Sequence, residues 1–203
     1  MDPLHRARNH GPSPAQEALN APLFASLVQQ LDEEQRCVVL DLGAARTETV
    51  ALFGRFRCRL DIADLAQNVD ELNNEPEPGL LPQRAESVLP RRREEATDLV
   101  LCWDLLNYLQ RPALRAVMSK VAERCRPGAL VHALIIYSSS KMTREPGGFV
   151  PIDEQRLLKL NKRPEEREAP RYSPEDLARC LPGYTVERGR LLRNGMQEFL
   201  FRL

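Results

Sequence analysis

Carboxylates and aromatic residues gather at the ends of the apolar runs in this chain. Cys37-Val38-Val39-Leu40 is followed at once by Asp41 and Gly43, Arg59-Leu60-Asp61-Ile62 by Asp64, and Leu99-Val100-Leu101-Cys102-Trp103 by Asp104. The longest apolar run, from Ala129, ends at Tyr137. Each run reads as a buried strand, being short, apolar and bounded by polar residues. Asp41, Gly43, Asp64, Trp103, Asp104 and Tyr137 then fall at strand carboxyl ends, where open α/β sheets bind their ligands. A glycine after the first strand lets a ligand approach the backbone closely. Asp64, 21 positions beyond Gly43, stands about where such units set a carboxylate on ribose hydroxyls. Asp61 competes for that role but lies inside its strand. Strand, glycine turn, helix, strand and acid make the outline of a nucleotide-binding βαβ unit.

The other reactive side chains divide between chemistry and packing. Asn107 and Tyr108 follow the strand that ends in Trp103 and are placed to face a ligand, or else to cap a turn and pack. Trp103, the single tryptophan, walls a ring-shaped ligand or packs in the core. His132 has the chemistry of a general base, yet it lies early in its strand and reads as a buried structural histidine. The five cysteines lack a C-x-x-C pair and read as packing residues; with the histidines scattered, no metal site is expected. Arg91-Arg92-Arg93 runs straight into Glu94-Glu95, the pattern of a solvated turn.

The elements that must position these residues alternate. Residues 1–15, with His5, His10 and three prolines, read as a disordered arm. Leu19, Leu23, Leu27 and Leu31 recur every fourth residue and predict an amphipathic helix from 15 to about 36, interrupted at Pro22. Thr47 opens a second helical pattern, and residues 65–73 a third. A short third strand is expected at Leu80-Leu81 or Ser87-Val88-Leu89. Leu114, Val117, Met118 and Val121 mark a helix stopped by Arg126-Pro127-Gly128. Residues 138–171 are polar and proline-rich, with one short helix near 154–160, and read as a lid or insertion. Ser173-Pro174-Glu175-Asp176 predicts a capped helix start. Two closing strands, 184–192 and 196–202, flank Asn194-Gly195, a type I′ hairpin signal. Residues 16–203 are thus expected to form one domain.

Twenty-nine basic residues balance 29 acidic ones, which argues against nucleic acid and anionic membrane surfaces as partners. No apolar run approaches the ~20 residues that span a bilayer, and the N-terminus lacks a signal-peptide core; a cytoplasmic protein is expected. The residues carry no signal for an oligomeric state.

With its alternating strands and helices and a closing hairpin, the chain resembles a class I S-adenosylmethionine (SAM)-dependent methyltransferase over residues 37–203. Val39-Leu40-Asp41-Leu42-Gly43 looks like that family's first motif. Asp98 through Leu109, continuing to Arg126-Pro127-Gly128, resembles its fourth strand, following loop and turn. Tyr172 to Leu177, through Pro182-Gly183-Tyr184, is similar to its last helix and hairpin entry. The resemblance implies an α/β, Rossmann-like, seven-stranded, mostly parallel sheet with a C-terminal antiparallel hairpin. It also implies SAM as cofactor and a small-molecule substrate. Asp41, Gly43 and Ala45 would lie near the methionine part, Asp64 on the ribose, and Trp103 and Asp104, or residues after Val88, near the adenine. Asn107, Tyr108 and Tyr137 would face the substrate. The family's loop usually carries glycine at positions 45 and 47, here Ala45 and Thr47, and Glu86 is the nearest acid to its third strand. Two readings follow: a SAM-dependent methyltransferase, or a non-catalytic methyltransferase-like module that has lost SAM binding. A nicotinamide-dependent dehydrogenase would need a G-x-G-x-x-G turn, which is absent.

Overall fold

A computed structural model describes residues 18–160 and 165–203; the expected arm at 1–15 lies outside the described residues. The elements run β1 (Ala18–Asn20), α1 (Pro22–Val28), β2 (Cys37–Asp41), α2 (Thr47–Phe53), β3 (Cys58–Ile62), α3 (Val69–Asn73), α4 (Leu81–Ser87), β4 (Thr97–Leu101), α5 (Arg111–Ala122) and β5 (Cys125–Ile136). They continue with β6 (Lys141–Thr143), β7 (Phe149–Pro151), β8 (Arg156–Lys159), β9 (Glu166–Glu168), α6 (Pro174–Cys180), β10 (Thr185–Leu191) and β11 (Met196–Arg202).

The central sheet has six strands in the order β10-β11-β5-β4-β2-β3. β3, β2, β4 and β5 are parallel, and β11 inserts antiparallel between β5 and β10. The α/β architecture with its closing hairpin matches the sequence expectation; among the described residues no seventh strand joins the sheet. At the expected third strand the chain makes a 3-10 turn (Pro78–Leu80) and α4. The inward residues Leu81 and Ala85 are spaced four apart, the helical period, and Pro82 sits in the first turn, where a missing N–H costs nothing. The outer edge of β3 is instead lined by charge. Arg59 holds Asp61 at 3.1 Å and Glu95 at 2.5 Å, and Arg93 reaches Asp61 at 3.7 Å. Side chains of this kind discourage further strand pairing.

Other local expectations are revised. The N-terminal helix shrinks to α1, because Pro22 starts it and Leu19 lies in β1, paired with β8. α5 ends at Ala122, so Arg126-Pro127-Gly128 opens β5 rather than stopping a helix. The short helix near 154–160 is the strand β8. The closing hairpin forms, but only Gly195 has positive φ (79°), so its turn is not type I′. α6 forms as expected, with the reciprocal Ser173–Asp176 capping box. All five cysteines are free and buried or half-buried, and no helix among the described residues is long and apolar enough to cross a membrane.

Strand order reverses between β2 and β4: from β2 the chain crosses outward to β3, and from β4 towards β5. Ligands of open α/β sheets enter at such a switch point. Here a small second sheet, β1-β8-β7, lies nearby, with β7 against α2.

Candidate ligand crevice

Asp41 is the last residue of β2 and is 1% exposed. Its Oδ1 accepts the Gly43 backbone N–H at 2.8 Å and the Trp103 indole Nε1–H at 2.6 Å. Burial pushes the Asp41 carboxyl up to about 6; the two donors oppose the shift and the nearby Asp64 charge adds to it. The loops after β2 and β3 are stitched together. Ala63 N–H donates to Asp41 O at 2.8 Å, Asp64 N–H to Gly43 O at 3.0 Å and Leu65 N–H to Leu42 O at 3.0 Å. Asp64 closes this stitch in the left-handed region, at φ 46°, and its Oδ2 accepts Gln67 Nε2 at 2.6 Å. Asp61, the competitor for ribose, is engaged by Arg59 and Arg93 on the sheet edge.

Trp103 follows β4 and is also left-handed, at φ 50°, an uncommon state for a bulky residue. Its backbone is fixed by Leu134 N–H donating to its carbonyl at 2.7 Å. The indole lies directly on Gly43: a Cβ at that position would stand 2.7 Å from Trp103 Cδ1. Gly43 is therefore required by the close approach of a side chain of the same molecule. On its other side the indole neighbours Phe24 and His132, with ring centroids 5.9 and 6.5 Å away.

That neighbourhood contains a pair which the sequence reading missed. His132 is fully buried, as expected, and its Nε2 lies 2.9 Å from Oε1 of Glu198, also fully buried. The Glu198 carboxylate accepts two backbone N–H groups at the start of α1, Leu23 at 3.0 Å and Phe24 at 2.8 Å. With the carboxylate accepting, the imidazole proton belongs on Nε2, which leaves His132 Nδ1 buried without a partner. Glu198 is thus an N-cap supplied from 175 residues away. The signal for it was a polar residue on the buried face of each of two strands that pair antiparallel, with His132 opposite Leu200 and Glu198 opposite Leu134. Residues two apart in a strand share a face, so the register makes the two neighbours.

The remaining sequence candidates separate. Asp104 is 3% exposed, and burial pushes its carboxyl up to about 6 against the Lys159 charge and the Tyr108 hydroxyl. Asn107 is a clamp: its Nδ2 donates to Asp104 O and Leu134 O, and its Oδ1 accepts Ile136 N–H, all at 2.8 Å. Tyr108 shares a 2.6 Å hydrogen bond with Thr143 of β6, and the Arg167 guanidinium lies 5.1 Å above its ring; burial raises its phenol. Tyr137 is 52% exposed and does not line the crevice. Ala45 and Thr47 are exposed and do not line it either. Glu86 is in α4, bound to Arg124 at 2.7 Å, and not at a strand end.

Between Gly43, Trp103 and Asp104 on one side and residues 146–149 on the other, the crevice holds a cavity of about 30 Å³. Sites for drug-sized ligands run to about 300–1,000 Å³. As folded, the volume does not admit a nucleoside-containing cofactor; Trp103 and Phe149 are among the walls, and neither Asp41 nor Asp64 lines it.

No family model matches the chain, and no curated protein matches it in sequence. Solved structures do match. The chain is similar to a glycopeptide N-methyltransferase complexed with S-adenosylhomocysteine (SAH), at 14% identity and TM-score 0.51, covering 90% of this chain and 87% of that one. It is similar to a SAM-dependent methyltransferase from Clostridium acetobutylicum, at 16% identity and TM-score 0.50, covering 91% and 92%. It is also similar to the Burkholderia thailandensis 1,6-didemethyltoxoflavin-N1-methyltransferase, at 19% identity and TM-score 0.48, covering 89% and 76%. At these identities the likeness carries the architecture, and it agrees with the motifs and strand order described above: the chain has the fold of the class I SAM-dependent methyltransferases.

Proposed function

We propose that this protein is a SAM-dependent methyltransferase acting on a small molecule, with its cofactor site at the switch point between β2 and β4. The observation that carries the reading is the pair of left-handed, non-glycine residues there, Asp64 at φ 46° and Trp103 at φ 50°. Strain of this kind costs about 1–3 kcal/mol per residue and collects at ligand clamps and switches. The similar glycopeptide methyltransferase, solved with SAH, supports both the cofactor and a substrate class outside nucleic acid. In this reading Asp64 would hold the ribose hydroxyls. Asp104, whose carboxyl exchanges a proton near pH 6, is the acid–base group nearest the crevice. Methyl transfer gains much of its rate from holding the nucleophile in line, so a base is not obligatory.

A second reading, a methyltransferase-like module that has lost its cofactor, is favoured by the 30 Å³ cavity. Calorimetric titration with SAH separates the two. Saturable binding that Asp64→Ala weakens at least tenfold supports the enzyme. No heat of binding at millimolar SAH, from the wild type or from a variant with Trp103 truncated, supports the module.

A further inference from the structure

The crevice is closed by the protein's own side chain, and this inference rests on reading it as the cofactor site. We propose that Trp103 is a gate: its indole stands in the ligand's place over Gly43, and a nucleoside-containing ligand enters only when the indole leaves.

Three observations bear on this, none of them visible from the loop's glycine count. The indole takes both resources that the βαβ turn would offer a ligand. It lies where a Cβ on Gly43 would be 2.7 Å away, so it occupies the close-approach surface that the glycine creates. It also donates to Asp41 Oδ1 at 2.6 Å, engaging the buried carboxyl that closes β2. The second observation is the backbone state. A tryptophan at φ 50° is held there by its surroundings, here the 2.7 Å bond from Leu134 N–H to its carbonyl and the rings of Phe24 and His132. Release of that strain offsets part of the cost of opening.

The third observation is the cover. Pro146, Gly147, Gly148 and Phe149 form the far wall of the cavity, and Phe149 is 2% exposed. Phe149 begins β7, which pairs with β8, which pairs with β1, which leads directly into α1. α1 is fixed to the central sheet by Glu198, and its Phe24 touches the indole. Gate and cover are therefore joined through α1, and an indole leaving Gly43 disturbs the element that holds the cover down. A binding-competent state that is sparsely populated lowers apparent affinity by its population, so removing the gate raises affinity.

The test is SAH binding by calorimetry on the full chain, comparing wild type, Trp103→Ala and Trp103→Phe. The gate requires Trp103→Ala to bind at least tenfold more tightly than wild type. Trp103→Phe keeps an aromatic ring but loses the donor to Asp41, and falls between them; if Trp103→Ala does not fold, a gain of threefold or more in Trp103→Phe carries the same conclusion. Equal affinity in all three overturns the gate and leaves the cofactor reading standing. No binding in any of them, while each still unfolds cooperatively, overturns the cofactor reading itself.

Discussion

Replacing Gly43 with alanine tests the account at its tightest contact. The new Cβ would stand 2.7 Å from Trp103 Cδ1, 2.9 Å from Nε1 and 3.1 Å from Asp41 Oδ1. Carbon atoms prefer about 3.5–4.0 Å, so the indole must retreat by roughly an ångström. Its retreat is resisted, the residue being 3% exposed and bounded by Phe24 and His132. The Gly43 backbone lies outside the left-handed region, so alanine meets no torsional penalty and the cost is overpacking alone. Overpacking of this kind costs about 1–3 kcal/mol. In a Trp103→Ala background, itself costing about 3–5 kcal/mol, the methyl group is freed of both indole contacts and keeps only the 3.1 Å approach to Asp41 Oδ1, which no longer bonds an indole. There the same change is expected to stabilise by about 0.4–1 kcal/mol through the unfolded chain. The double-mutant cycle should therefore show a coupling of about 1.5–4 kcal/mol. Urea unfolding followed by far-ultraviolet circular dichroism reads all four proteins without relying on tryptophan. A Gly43→Ala cost below about 0.5 kcal/mol, the level of an ordinary surface change, would refute the indole contact; so would an equal cost in both backgrounds.

Three further perturbations probe the supports of the site. The folded-state pKa of Asp41 is raised from 3.8 to about 6, so its stabilising contribution is fully present below pH 3.8 and is lost as pH rises through 6. Asn at this position keeps an acceptor for Gly43 and Trp103 and removes the titration, so Asp41→Asn should be more favourable at pH 7 than at pH 4 by about 2 kcal/mol; paired urea titrations at the two pH values check this, and a pH-independent difference contradicts it. Glu198→Ala leaves the Leu23 and Phe24 N–H groups and His132 Nε2 without their carboxylate. A loss of about 3–5 kcal/mol follows, with faster amide hydrogen exchange concentrated in α1. Asn107→Ala removes three buried hydrogen bonds and is expected to cost about 2–4 kcal/mol; a cost below 1 kcal/mol in thermal unfolding would return Asn107 to the substrate-facing role.

The sequence revealed those features whose signal is local. Ser173-Pro174-Glu175-Asp176 became a capped helix because each of its bonds is made within four residues. The strands ending at Asp41 and near Trp103 were legible as apolar runs, which put both residues at strand carboxyl ends; the reversal of strand order between them comes from the pairing. What escaped depends on contacts distant in sequence. Leu80-Leu81 looked like strand because a short apolar run has no period of its own; Leu81 and Ala85, packed four apart, made it helix. Asn194-Gly195 promised a type I′ turn, yet Asn194 keeps negative φ while its Oδ1 accepts Met196 N–H at 3.2 Å. Glu198 drew no notice within the closing strand, and only the β5–β11 register brings it to His132 and the start of α1. The glycine loop drew attention to Ala45 and Thr47, both exposed. The residue that decides access lies 60 positions beyond Gly43, at Trp103, and its indole direction follows from a left-handed backbone that no sequence pattern encodes.

The most direct measurement uses the protein's single tryptophan, which is also the proposed gate. Wild-type emission is followed with acrylamide quenching as SAH is titrated and binding is tracked in parallel by calorimetry. The account predicts buried, weakly quenched emission in the free protein, and a red shift with increased quenching that saturates along the binding isotherm. Saturable SAH binding with emission and quenching unchanged would contradict it.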